Sequence, residues 1–250
     1  MSVNVNKFKI GFSDIGGIYI GKNIQSSFHK HYAITVLLSF GEPFKITTPD
    51  QKQDLYKVAI IQKNISYNLQ TSENDYVAFI HIVPYSTNGI TLSNNKNVIQ
   101  KFDIEPFKDL LKEFKHWFNS TENDVTKVEH LLNEVSIIPK NSTHKKVIID
   151  ERIKKSFDLI MHNESEKLPI NLIANSVHLS VSHFARLFKK ETGMTFRKFV
   201  LHSKLIKSIY AMYEENNLTE ASFIGGFSDQ PHFTRTFKGN FGIKPSQSRK

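Results

Sequence analysis

The strongest constraint on this chain is a short phrase that it spells twice. From His183 to Gly193 the sequence reads HFARLFKKETG, and from His232 to Gly242 it reads HFTRTFKGNFG. Aligned without a gap, the copies share His183/His232, Phe184/Phe233, Arg186/Arg235, Phe188/Phe237, Lys189/Lys238 and Gly193/Gly242, all at an offset of 49. Two copies are too few for a stacked solenoid, which points to a duplicated small module. At helical spacing, Phe184, Leu187 and Phe188, or Phe233 and Phe237, fall on one side while Arg186 or Arg235 projects opposite. One face packs and the other is presented.

A short helical segment and a tight turn precede each copy: INLIANSV before His178-Leu179-Ser180, and TEASFIG before Gly226-Phe227-Ser228. Ser180 and Ser228 are suited to cap the helix that follows, and Gly226 can adopt the left-handed conformation that ends the one before. Upstream of the second copy the two segments slip by one residue, so Asp229 to Pro231 are expected to be arranged differently from their counterparts. Helix, tight turn, helix is the helix-turn-helix, whose second member can enter the DNA major groove. Between the copies, Thr195 to Tyr213 reads as one connecting helix about 28 Å long, against a B-DNA turn of roughly 34 Å.

Charge agrees with this reading. The formal net charge is +9, and residues 150 to 250 carry 16 basic against 10 acidic residues, while residues 1 to 149 carry 17 against 14. Between Ser180 and Tyr210 the basic residues Arg186, Lys189, Lys190, Arg197, Lys198, Lys204 and Lys207 face Glu191 alone. Such a surface attracts phosphate without needing a shape match, although a solvated helix face would look the same.

The first half has a different period. KFKIGF, GGIYIG, YAITVLLSF, YKVAIIQ and YVAFIHIV are short β-prone runs broken by Gly and Pro, which predicts a sandwich or barrel. After Lys96 the spacing turns helical: Ile104, Phe107, Leu110, Leu111, Phe114 and Phe118 form one stripe, and a second helix covers Val125 to Val135. That stripe either packs on the β domain or mediates dimerisation. Residues 139–146 read as a linker. The expected organisation is therefore a β domain over 1–95, a helical segment over 96–138, the linker, and an all-helical domain over 147–250. With 20 Phe and a single Trp, the cores should be filled largely by phenylalanine.

LSVSHFARLFKKETGMTFRKFV and GFSDQPHFTRTFKGNFGIKPSQ together resemble the DNA-binding domain of the AraC/XylS family of bacterial transcription regulators, over about residues 150 to 248. The chain departs from the common pattern at Ser222 and Gly225, which make TEASFIGG unusually small and glycine-rich. The resemblance implies an α+β protein with a cupin-like N-terminal domain that senses a small molecule or mediates dimerisation. It further implies that Ser182, Ala185 and Arg186 of the first reading helix, and Gln230, His232 and Arg235 of the second, contact bases. Ser180, Lys189, Lys190, Ser228 and Lys238 suit phosphates. Double-stranded DNA is the expected partner. RNA polymerase, a small-molecule effector and a second copy of the chain are further candidates.

The remaining chemistry-bearing motif is FHKHY, where His29 and His31 would point the same way on a strand and Lys30 lies between them. These three are candidates for an effector pocket, and the basic Lys30 makes an anionic ligand conceivable. A metallocupin would usually add a nearby Glu and a third His on a later strand, yet AITV follows and the later candidate strand reads NISYNLQ. No metal, cofactor or enzymatic activity is expected, and no nucleophile–base pair or phosphate loop is visible. A small metal-dependent cupin enzyme with a helical appendage is the rival reading. A third reading, in which basic helices bind membranes or acidic partners, leaves the repetition unexplained. There is no cysteine, no apolar core of a secretory signal in MSVNVNKFKIGF, and no run of about 18 apolar residues, so a cytoplasmic protein off the membrane is expected.

Overall fold

The structure, a computed structural model, describes residues 8–93, 98–121, 124–138, 150–161, 168–214 and 216–248. The expected linker, residues 139–146, lies outside the described residues. The chain divides into two compact units: Met1–Lys145 together with Lys238–Lys250, and Lys146–Phe237. The first unit thus takes in a C-terminal segment that the sequence assigns to the helical domain.

The N-terminal strands are β1 (Lys9–Ser13), β2 (Gly16–Gly21), β3 (Ile34–Ser39), β4 (Phe44–Thr47), β5 (Gln53–Tyr56), β6 (Val58–Ile61), β7 (Asn68–Gln70), β8 (Val77–Ile82) and β9 (Ile99–Phe102). The helices with them are α1 (Thr87–Leu92), α2 (Lys108–Asn119), entered through a 3-10 turn at Glu105–Phe107, and α3 (Val125–Ile137). One sheet runs β1-β2-β8-β3-β6-β9 and a smaller one β5-β4-β7. All pairings are antiparallel.

Strand alternation sorts the side chains onto two faces. Ile34, Val36 and Leu38 of β3, with Ala78, Ile80 and Ile82 of β8, join Leu110, Phe114, Trp117, Leu131 and Val135 of α2 and α3 in one core. On the opposite face Leu37 and Val77 meet Phe44, Ile46, Tyr67 and Leu69 of the smaller sheet and its flank. Strand β3 is buried along its whole length because it has a layer on each side. The apolar stripe of α2 is consumed in its own core, where Phe114 is 0 % exposed. Burying a side chain of that size contributes about 1.5 to 3 kcal/mol.

All five β-prone runs became strands of the larger sheet, and two expectations need correction. The helical segment over 96–138 opens with strand β9, which pairs with β6, and the β half contains helix α1, capped by Ser86. Both are short, and β9 takes its place from its partner strand rather than from its own pattern.

The helical half comprises α4 (Glu151–Met161), α5 (Ile170–Ser176), α6 (Val181–Thr192), α7 (Phe196–Tyr213), α8 (Leu218–Ile224), α9 (Gln230–Phe241) and α10 (Pro245–Ser248). Around α6 the core is aromatic: Phe157 stacks on Phe199 at 5.2 Å, and Phe188 meets Phe199 edge-on at 5.2 Å. Around α9 the equivalent core is Phe227, Phe233 and Phe237. Among the described residues no helix is long and apolar enough to cross a membrane.

Candidate nucleic-acid interface

The two helix-turn-helix modules share two turn-closing backbone bonds. In the first turn the Leu179 amide donates to the Ala174 carbonyl at 2.9 Å and the His178 amide to Asn175 at 3.0 Å. In the second the Phe227 amide donates to Ser222 at 2.9 Å and the Gly226 amide to Phe223 at 2.8 Å. These pairs are related by an offset of 48, whereas the helices that follow keep the offset of 49. One residue, Ser228, is therefore inserted between turn and helix in the second module.

Each turn needs a left-handed residue, His178 at φ 55° in the first and Gly226 at φ 84° in the second. Glycine adopts it freely, and histidine is among the side chains that tolerate it. Helices α6 and α9 end alike: Gly193 (φ 76°) and Gly242 (φ 71°) are left-handed, and their amides donate to the Lys189 and Lys238 carbonyls at 2.9 and 2.8 Å. The repeated glycine is thus a helix terminator.

The inserted residue changes the cap. Ser180 caps α6 by accepting from the His183 amide. At α9 the cap is Asp229, not the expected Ser228: the Asp229 carboxylate accepts from the His232 amide at 2.6 Å, and the Ser228 hydroxyl donates to the same carboxylate at 3.1 Å. The His232 amide, followed by the Ser228 hydroxyl and the nearby Arg235 charge, holds the Asp229 carboxyl below its ordinary value. An offset of 49 carries Ser180 onto Asp229, so strict use of the repeat spacing finds this cap.

Ser182, Arg186, Lys189 and Lys190 of α6 are exposed, and Ala185 is half-buried. On α9, Arg235 and Lys238 are exposed while Gln230 and His232 are half-buried. The Gln230 side-chain carbonyl accepts from the Thr219 hydroxyl at 2.9 Å, which ties α9 to α8. His232 lies edge-on to Phe227 at 5.1 Å. Lys190 is 3.8 Å from Glu191. Phe184 and Phe188 are 0 % exposed, Phe233 0 % and Phe237 4 %, so they build each module and are not part of its reading face.

The small residues of α8 have a packing reason. A Cβ at Gly225 would collide with the Ser208 hydroxyl of α7 and come within 2.7 Å of the Lys204 carbonyl. Ala221, Ser222 and Ser208 are all fully buried. Helix α8 therefore rides directly on α7, capped at its start by Asn217 and Glu220 in a reciprocal capping box.

In the β unit, His29 and His31 lie before β3 and not on a strand, His29 making only an isolated bridge to Tyr67, yet their rings do meet, with centroids 4.8 Å apart, while Lys30 between them is exposed. His81 of β8 joins them at 4.3 Å from His31, and its Nδ1 lies 3.1 Å from the Thr35 hydroxyl. Tyr67 packs on His29 at 4.6 Å. Burial lowers the His29 pKa, against an opposing bond between its Nδ1 and the Ser27 carbonyl at 2.8 Å, and raises that of Tyr67. Thr35 and His81 are directly paired in the β3–β8 register, which only the sheet brings about. Among the described residues no group of three or more potential ligands is arranged to hold a metal ion.

Residues 173–250 match the family described as a helix-turn-helix domain. The Msm operon regulatory protein of Streptococcus mutans is 32% identical over 93 residues, covering 36% of this chain and 34% of that protein. The transcriptional activator RhaS of Yersinia pestis is 27% identical over 99 residues, covering 39% and 36%. The chain thus aligns with about a third of the length of these relatives. In fold it is similar to ToxT from Vibrio cholerae, solved with an unsaturated fatty acid bound, at a TM-score of 0.59 and 15% identity over 100% of this chain and 97% of that one. Through its duplicated helical region, the chain is similar to helix-turn-helix transcription regulators, in keeping with the resemblance to the AraC/XylS family.

Proposed function

We propose that this protein is a sequence-specific DNA-binding transcription regulator in which α6 and α9 read successive major grooves. The observation that carries this reading is the duplicated turn geometry, which ends both times in a capped helix with an arginine exposed at the same position. Connecting helix α7 has 18 residues, about 27 Å at 1.5 Å per residue, a scale comparable with the roughly 34 Å turn of B-DNA. Docking one module would raise the effective concentration of the other.

Within that reading, Arg186 and Arg235 make bidentate contacts to guanine, Ser182, Gln230 and His232 offer further hydrogen bonds, and Ala185 offers a methyl contact to thymine. Lys189, Lys190 and Lys238 meet phosphates, as do the exposed hydroxyls of Ser180 and Ser228. Asp229 places a negative charge at the start of α9, which makes that end less receptive to phosphate than the Ser180 end of α6.

The β unit is the regulatory half. Its polar cluster of buried His29, His31, Thr35 and Tyr67 with half-buried His81 supports a small-molecule site in the sandwich, and the fatty acid in ToxT makes a long-chain acid the first effector to try. Because Lys30 is exposed while His29 and His31 are buried, the histidines carry this part of the reading. Contact with RNA polymerase and pairing with a second copy complete the scheme.

The test is selection of bound fragments from random DNA by the full chain at fixed salt. A two-part motif with halves one turn apart is expected, with Arg186→Ala relaxing one half and Arg235→Ala the other, each by about 1 to 3 kcal/mol of discrimination. No motif, or arginine variants that leave both halves unchanged, rejects the proposal.

A further inference from the structure

The equivalent glycines that end α6 and α9 sit in different surroundings. Gly193 is exposed, whereas Gly242 is buried. The Gly242 carbonyl accepts two bonds from Ser27, one from its amide at 3.0 Å and one from its hydroxyl at 3.0 Å. A Cβ at Gly242 would come within 2.6 Å of His29 Nδ1 and 2.7 Å of both the Ser26 Cβ and the Ser27 carbonyl. Next to it, the Phe241 ring lies 5.5 Å from His31 and 5.7 Å from His81. These partners all belong to the first unit, which includes Lys238–Lys250, so the division between the units runs through α9 itself.

A carbonyl that terminates a helix usually spends its bonding capacity on water. Here it is spent on a polar stretch of the β unit, and the glycine that lacks a Cβ for its left-handed φ also lacks one for close approach. Resting on the proposed function above, we infer that Phe241 and Gly242 form a strap that pins the C-terminal end of the second DNA-reading helix to the histidine-lined end of the β sandwich, restraining that helix and not the first. The strap touches His29, His31 and His81, so a ligand that moves these rings acts on α9 directly. Helix α6, by contrast, ends on an exposed glycine, Gly193. Control of DNA reading is therefore asymmetric: the first module supplies standing affinity, and the second is engaged or withheld.

Two readouts on the full chain test this. Hydrogen exchange of the Ser27 amide and of residues 238–248 is measured in wild type and in the double variant Ser27→Ala with Phe241→Ala. Loss of protection there, with α6 amides unchanged, is expected. Unchanged protection at Ser27 overturns the strap, and this arm needs no DNA. The second arm uses the selected operator with each half scrambled in turn. The double variant should bind the second module's half roughly three- to tenfold more tightly, the worth of one or two hydrogen bonds, with no change at the first. No change, a fall, or an equal change at both halves overturns the restraint. Gly242→Ala and Gly193→Ala separate strap from helix end. Both strain a left-handed position, but only Gly242→Ala should change exchange at Ser27, and equal effects of the two also overturn the inference. A chain that selects no DNA motif refutes the proposed function, while the exchange arm still decides the strap.

Discussion

The two helix-turn-helix modules differ at most of their positions and still meet the same physical demands. The left-handed turn residue is His178 in one and Gly226 in the other. The cap is a neutral hydroxyl, Ser180, in one and a carboxylate, Asp229, in the other. The residue after the first helix is Val177 in one and Gly225 in the other, and at Gly225 a Cβ would collide with the Ser208 hydroxyl of α7. What duplication preserved is the bonding pattern of turn and cap and the burial of two phenylalanines per helix. The inserted Ser228 was tolerated since it lies between two locally closed units, the turn and the capped helix.

The comparison breaks most severely in the cores. Phe184→Ala and Phe233→Ala should each cost about 3 to 5 kcal/mol, read in denaturant unfolding, because both side chains are fully buried among other rings. A variant that keeps its stability but loses DNA binding would place that phenylalanine on the reading face instead. A smaller loss should follow Gly225→Ala, about 1 to 3 kcal/mol from overpacking against Ser208 and Lys204, whereas the first module already carries the larger Val177 at the matching point.

Ser180→Ala should lower stability by about 1 kcal/mol at any pH, since a hydroxyl cap does not titrate. Asp229 behaves differently. Its carboxyl is held below the ordinary value in the folded state, so its contribution is present above the unfolded value near roughly pH 4 and fades as pH falls through the folded value. Protection of the His232 amide, taken relative to its intrinsic exchange rate at each pH, should therefore fall in acid while that of the His183 amide shows no such step. The smallest effect is on DNA: Asp229→Ser makes the second cap resemble the first, and a modest rise in affinity that shrinks with added salt is expected in a titration. An unchanged affinity would mean that no phosphate approaches the start of α9.

Much of the candidate interface was legible because it rests on short-range rules. The periodicity of HFARLFKKETG and HFTRTFKGNFG separates buried phenylalanine from exposed arginine, and the shared glycines mark both helix ends. The second cap was misread because Ser228 looks like a capping residue, and only the constant spacing from Ser180 distinguishes Asp229. In the sequence Gly225 is only a departure from the common pattern, because nothing in TEASFIGG reveals that Ser208 and Lys204 of another helix occupy the space beside it. His81 went unread for a similar reason. YVAFIHIV shows an alternating strand, but its partner across the sheet is Thr35, far away in the chain.

The sequence alone determined the repeated helices, their exposed arginines and the β character of the first half, since each depends on residues within a turn or two of one another. Tertiary structure decided the rest. Strand order brought His81 to His29 and His31, the sandwich swallowed the apolar stripe of α2, and close packing turned a glycine-rich segment into the surface where α8 rides on α7. These outcomes depend on register and contact between distant segments, and a local pattern carries no record of which distant residue will fill the space beside it.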